Sequence, residues 1–238
     1  MTDSAITKLS LSRRAMVRAM VESAAVPCFY LRVTADATAL VAARQALRED
    51  ADWAGRVPTL NDFVVRACAL ALRDHPHVNA AYVDGEVATY TRVNVGVAIA
   101  VPGGLVAPCV YDADAKDVGA IAADVRELAD LAAARRLSKD VLADATFTVS
   151  NLGMFGIEDF DPILNPPQAA ILGVGAAMGA ERRAMRLTLG CDHRVLTGAE
   201  AAPFLLAIRD RLQSPEELRP PSTPVQGTQP PGGETPWA

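Results

Sequence analysis

The stretch Cys191-Asp192-His193-Arg194-Val195-Leu196-Thr197-Gly198 lodges a histidine between two different periodicities. Upstream, Met185, Leu187, Leu189 and Cys191 alternate with Arg186, Thr188, Gly190 and Asp192, the pattern of a half-buried strand. Downstream, Ala201, Phe204, Leu205, Ile208 and Leu212 recur at helical spacing over 199–213. At such a junction a neutral imidazole meets solvent or a partner and can take a proton from an attacking group, then return it to a leaving one. The alternative for a lone histidine is a structural imidazole with both nitrogens satisfied, and the pattern alone leaves both open. The two other histidines fall in Arg73-Asp74-His75-Pro76-His77, at a helix end stopped by proline. That context reads as C-terminal capping, and no further ligand cluster turns the pair into a metal site.

Around the histidine, the sequence lays out alternating helices and strands. Ser10 or Ser12 can cap a first helix striped by Met16, Val17, Met20 and Val21, with Met16 and Met20 read as core. Residues 29–33 read as a strand, 40–48 and 60–73 as helices, and 118–136 as an amphipathic helix. Asp84-Gly85 between two apolar runs is a two-residue hairpin signal. Apolar strands are expected over 93–101, 105–111, 147–150, 169–174 and 185–191. Thr197 and Glu200 have capping-box spacing, with Thr197 as N-cap and Glu200 reaching back. The Gly173-x-Gly175 and Gly153-x-x-Gly156 spacings lack the strand–turn–helix context of a dinucleotide fingerprint. The expected architecture is α/β, a mixed sheet flanked by helices, with a single domain over 1–218. Residues 219–238 hold six prolines and three glycines with almost nothing to bury, which predicts a disordered tail.

Composition narrows the function. Half of the 238 residues are hydrophobic but only 5% are aromatic, the balance of alanine-rich helices over a Val/Ile/Leu sheet. A net charge of −5 argues against a nucleic-acid or anionic-membrane surface. No run reaches the length of a membrane span and the first residues do not form a signal peptide, so a cytoplasmic location is expected. Cys28, Cys68, Cys109 and Cys191 are widely spaced and read as reduced, mostly buried thiols.

Asp192-His193-Arg194 followed by Gly198 resembles the Asp-His-Arg-x-x-Asp-Gly signature of the catalytic domain of 2-oxoacid dehydrogenase E2 acyltransferases, whose fold is that of chloramphenicol acetyltransferase. Four further blocks agree in order: Arg13 to Pro27, Gly104 to Pro108, Thr146 to Gly156, and Pro162 to Gly175. The resemblance runs from about residue 8 to 218. It implies direct acyl transfer with His193 as general base and Ser150 as donor to the tetrahedral oxyanion. A strand-end serine can also simply satisfy local backbone. The resemblance further implies a homotrimer with each site between subunits, histidine from one and serine from the next, and larger assemblies of trimers. Asp192, Arg194, Thr197 and Arg13 become supporting residues, and Asn151, Gly153, Phe155 and Gly156 candidates for the substrate channel.

Two departures from the family pattern shape the expected function. Thr197 stands where the family has Asp or Asn, four residues after the histidine. The lipoyl and subunit-binding domains that precede the family's catalytic domain do not occur in this sequence. On that basis the expected activity is acetyl (or other acyl) transfer from acyl-CoA to a small-molecule hydroxyl, as in the acetyltransferases of tetronate antibiotic biosynthesis. No metal and no bound lipoyl group is expected. The alternatives are an E2 core that exchanges acyl groups between CoA and a lipoyl thiol on a separate carrier, and an inactive trimeric scaffold.

Overall fold

The computed structural model describes residues 8–9, 11–102 and 104–218; Ser10, the Ser12 side chain and the 219–238 tail lie outside the described residues. Helices α1 (Leu11–Ala24), α2 (Thr38–Glu49), α3 (Leu60–Asp74), α4 (Val118–Ala133), α5 (Lys139–Ala143) and α6 (Gly198–Gln213) accompany ten strands. The strands are β1 (Cys28–Asp36), β2 (Ala80–Val83), β3 (Glu86–Thr89), β4 (Val95–Val97), β5 (Ile99–Val101), β6 (Gly104–Val106), β7 (Cys109–Val110), β8 (Phe147–Asn151), β9 (Ala170–Val174) and β10 (Ala184–Asp192). Six of them form one mixed sheet in the order β1-β10-β9-β8-β4-β7, with β8 parallel to both neighbours.

The period-two alternation gives this sheet two unlike faces. Phe147, Val149, Leu172, Val174, Leu187, Leu189 and Cys191 share one face and are buried with Phe63, Phe204, Leu205, Ile208 and Leu212 of α3 and α6. The stripe read over 199–213 is therefore the buried face of α6. Phe147 and Phe204 meet edge to face at 5.6 Å, and burying each such ring contributes about 1.5–3 kcal/mol. α3 is apolar almost all round and sits inside, from Phe63 to Leu72.

Registers place Tyr30, Gly190, Ile171, Thr148 and Gly96 in one row of the second face, and Arg32, Thr188, Gly173 and Ser150 in the next. Small and polar side chains let an extended segment lie here in place of a helix. A Cβ on Gly173 would already touch Pro162 and Phe160. Thr188 donates to Asp159 (2.5 Å), Tyr30 to the Pro162 carbonyl, and Arg32 pairs with Asp159 and Asp161. At the end of β9 the approach is tightest: a Cβ on Gly175 would fall 1.9 Å from the Glu158 carbonyl oxygen. Gly175→Ala should lower stability by about 1–3 kcal/mol through this overpacking. A denaturation midpoint equal to wild type would show that the 157–158 backbone yields freely.

Several expected elements differ in the structure. The apolar run 93–101 is two strands: the Ala98 N–H donates to Val149, after which the chain leaves the sheet and β5 pairs with β6 alone. The 105–111 run breaks at Ala107-Pro108, where proline offers no N–H and its carbonyl accepts from Val97. The long helix stops at Ala133, with Arg135 in the left-handed region (φ 58°). Met16 and Met20 are half-buried and outside the core, because α1 has β6 as its main neighbour and exposes Val17 and Val21. The Asp84-Gly85 hairpin forms as expected, both residues at positive φ. Cys68, Cys109 and Cys191 are buried free thiols and Cys28 is half-buried.

Candidate active site

β10 ends at Asp192, paired with Cys28 of β1, and the His193 N–H donates to the Pro27 carbonyl at 2.9 Å. The residues on either side of the histidine are tied to each other. The Asp192 carboxylate, 1% exposed, accepts the Arg194 backbone N–H (2.9 Å) and grips its guanidinium through Nε (2.9 Å) and Nη2 (2.6 Å). This bidentate pair raises the Arg194 pKa above its ordinary value. The guanidinium also stacks over Tyr82 of β2, 4.1 Å from the ring centroid. His193 is left exposed, its ring against Phe29 at 4.8 Å, and among the described residues no hydrogen bond engages the imidazole. Asp192 is thus a strut of the turn, occupied by Arg194 and not relaying charge to the imidazole.

The turn's rigidity has a measurable consequence. Asp192→Ala should cost about 1–3 kcal/mol, less than for a fully buried pair because the Arg194 side chain is 34% exposed. Equal chemical denaturation of wild type and variant would contradict that role.

Thr197 stands at the α6 N-terminus as the capping spacing predicts. Its backbone N–H and its hydroxyl both donate to Glu200 Oε2 at 2.8 Å, and these bonds lower the Glu200 pKa. His75 is the C-cap of α3, and His77 Nε2 lies 3.3 Å from the Glu200 carbonyl oxygen. Among the described residues no group of three His, Cys, Asp or Glu side chains is placed to hold a metal.

Ser150 lies near the end of β8, half-buried, opposite Gly173. Thr148 on the same face donates to Gln168 (2.7 Å), which in turn donates to the Ala145 carbonyl (3.0 Å), fixing the strand from below. Among the described residues the Ser150 hydroxyl has no hydrogen-bond partner, so satisfying local backbone is not its role. The next residue, Asn151, accepts the Gly153 N–H (2.8 Å) and donates to Asn61 of α3 (3.0 Å). A 3₁₀ turn over Gly153–Phe155 follows, closed by Gly156 at φ 78°, and it exposes Met154 (78%) and Phe155 (66%). Arg13 is on the exposed side of α1.

The structure does not bring His193 and Ser150 together within one chain. Ser150 is level with Gly173 and Thr188, while His193 lies beyond Asp192, four residues further along β10. At about 3.3 Å per residue and about 4.8 Å per strand, the two are at least roughly 16 Å apart. Tyr82, Asn61 and Gln168 were not singled out by the sequence reading. Their partners lie 112, 90 and 20 positions away, and no local pattern announces such pairings.

Comparison with known proteins agrees with this architecture. The family model of 2-oxoacid dehydrogenases acyltransferase (catalytic domain) matches residues 2–219, and the chain belongs to that family. It is similar to the dihydrolipoyllysine-residue acetyltransferase component of pyruvate dehydrogenase complex of Rhizobium meliloti (36% identity over 219 residues, covering 85% of this chain and 48% of the relative). The chain spans about half the length of the curated relatives it matches. A structure of Azotobacter vinelandii dihydrolipoamide acetyltransferase superposes with a TM-score of 0.85 at 30% identity, covering 91% of this chain and 94% of the other. In that enzyme a serine, a histidine and an asparagine four residues after the histidine have been studied for their role in the catalytic mechanism. The cubic core of the pyruvate dehydrogenase multienzyme complex matches equally well (TM-score 0.85, 30% identity, 91% and 94%). Chloramphenicol acetyltransferase shares the fold (TM-score 0.55, 16% identity, 82% and 94%). The chain thus carries the fold of the E2 acyltransferase catalytic domain, and among its described residues no helix is long and apolar enough to cross a membrane.

Proposed function

We propose that the protein transfers an acyl group directly between CoA and a dihydrolipoyl thiol carried on another domain or chain. The carrying observation is the state of the two groups: His193 is exposed on a tied turn, and the Ser150 hydroxyl is uncommitted two strands away and several residues further down the sheet. Base and donor meet only where two copies adjoin, which a homotrimer with shared sites provides. There His193 takes the proton of the attacking thiol as sulfur adds to the thioester carbonyl. Ser150 donates a hydrogen bond to the oxyanion, and collapse expels the second thiolate, which His193 reprotonates.

A small-molecule hydroxyl as acceptor, the expectation drawn chiefly from Thr197, gains no support. The relatives compared are dihydrolipoyllysine-residue acetyltransferases, and tetronate biosynthesis has no counterpart among them. The structure also accounts for Thr197 without invoking the acceptor, since its hydroxyl is spent on Glu200. Incubation with acetyl-CoA, dihydrolipoamide and a hydroxymethyl tetronate together tests the choice by mass spectrometry. The expected product is acetyl-dihydrolipoamide; an acetyl ester of the tetronate alone would overturn the reading.

A further inference from the structure

We infer that Asn61 is a positioning residue for the oxyanion donor, acting through Asn151. This rests on the role proposed above for Ser150. Asn61 occupies the first turn of α3, and that turn is unusually well fixed. Asp62 accepts the Thr59 backbone N–H (2.7 Å) and hydroxyl (2.9 Å) and donates its own N–H to Thr59 Oγ1 (3.3 Å). Behind it α3 is buried from Asp62 to Val65 and from Ala67 to Leu72, so Asn61 projects from a rigid platform.

From that platform Asn61 Oδ1 accepts the Asn151 side-chain N–H at 3.0 Å, and Asn151 Oδ1 accepts the Gly153 backbone N–H at 2.8 Å. Both ends of the Asn151 amide are therefore occupied, one by a helix 90 positions away and one by the loop it must shape. Asn151 directly follows Ser150 and, by strand alternation, its side chain leaves the sheet on the opposite face. The relay thus pins the end of β8 from the helical side and leaves the hydroxyl clear on the other. Beyond it, only the Leu152 N–H to Val174 carbonyl bond (3.1 Å) continues the ladder before the chain turns. An oxyanion donor acts only within a few tenths of an ångström of its proper place, so a strand end that shifts forfeits rate and not binding.

The test measures kcat and KM with acetyl-CoA and dihydrolipoamide for wild type, Asn61→Ala, Asn61→Asp, Ser150→Ala and the Asn61→Ala/Ser150→Ala pair. Asn61→Ala should lower kcat about tenfold with KM unchanged, because the donor is displaced and not the substrate. Asn61→Asp keeps an acceptor for Asn151 and should restore most of the rate. In the Ser150→Ala background the Asn61 change should have no further effect, and hydrogen exchange of a peptide spanning 150–156 should quicken in Asn61→Ala. Should Asn61→Ala fail to fold, Asn61→Ser, whose hydroxyl falls short of Asn151, replaces it with the same expectation. An active wild type, an impaired Ser150→Ala and an unaffected Asn61→Ala overturn this inference alone, as does the same loss with or without Ser150. A wild type that moves no acetyl group, or a Ser150→Ala as active as wild type, overturns the functional reading and the inference with it.

Discussion

His193→Ala should lower kcat for acetyl transfer by about 10²–10⁴-fold, the usual worth of a positioned base. The fold should survive the change, for the imidazole is exposed and the turn is held by other groups. Asp192 holds Arg194, Arg194 rests on Tyr82, and the backbone N–H of residue 193 stays on Pro27. The ring's contact with Phe29 is forfeited, worth about 0.5–1.5 kcal/mol. Loss of rate without loss of structure is therefore the signature, read by steady-state kinetics beside a thermal melt. A variant within threefold of wild type would mean that proton transfer is handled elsewhere.

Ser150→Ala should lower kcat by about 10²–10³-fold and leave KM nearly unchanged, because the hydroxyl is asked to bind only the tetrahedral oxyanion. The strand keeps its place without it, through the Thr148–Gln168 bond on one face and the buried Val149 on the other. The residual rate separates this role from a nucleophilic one. A serine that carried the acyl group would show a rapid first turnover and an acyl-enzyme mass, and its removal would abolish transfer outright. Neither species should be found. A raised KM at unchanged kcat would instead place Ser150 in substrate binding.

Much of this arrangement is legible in the residues. The switch from period two to period 3.6 brackets His193, and the α6 stripe from Ala201 to Leu212 is buried as its spacing requires. The capping of α6 by Thr197 and Glu200 follows from four residues of sequence. Ser150 is different: nothing in Phe147-Thr148-Val149-Ser150 marks the serine, and its role entered through the resemblance alone. The breaks at Ala98 and Pro108 were hidden because the apolar runs cross them unbroken, while the bends are decided by bonds to β8 and β4. The half-exposed α1 was misread as packing its methionines in the core, since an amphipathic stripe does not say whether its own chain supplies the partner surface. The hydroxyl acceptor drawn from Thr197 gains no support from the relatives, and the threonine has a local structural role at the start of α6.

The separation of His193, the proposed base, from Ser150, the proposed donor, is tested directly by complementation. His193→Ala and Ser150→Ala chains, each nearly inactive alone, would be co-expressed with different tags and the mixed oligomer purified on both. If each site takes its histidine from one copy and its serine from the next, every mixed trimer, two-to-one or one-to-two, keeps both groups intact at about one third of its interfaces. Acetyl transfer to dihydrolipoamide should then recover to about one third of the wild-type rate. A mixed oligomer no more active than the two variants measured separately would show that the site is built within one chain and contradict the account.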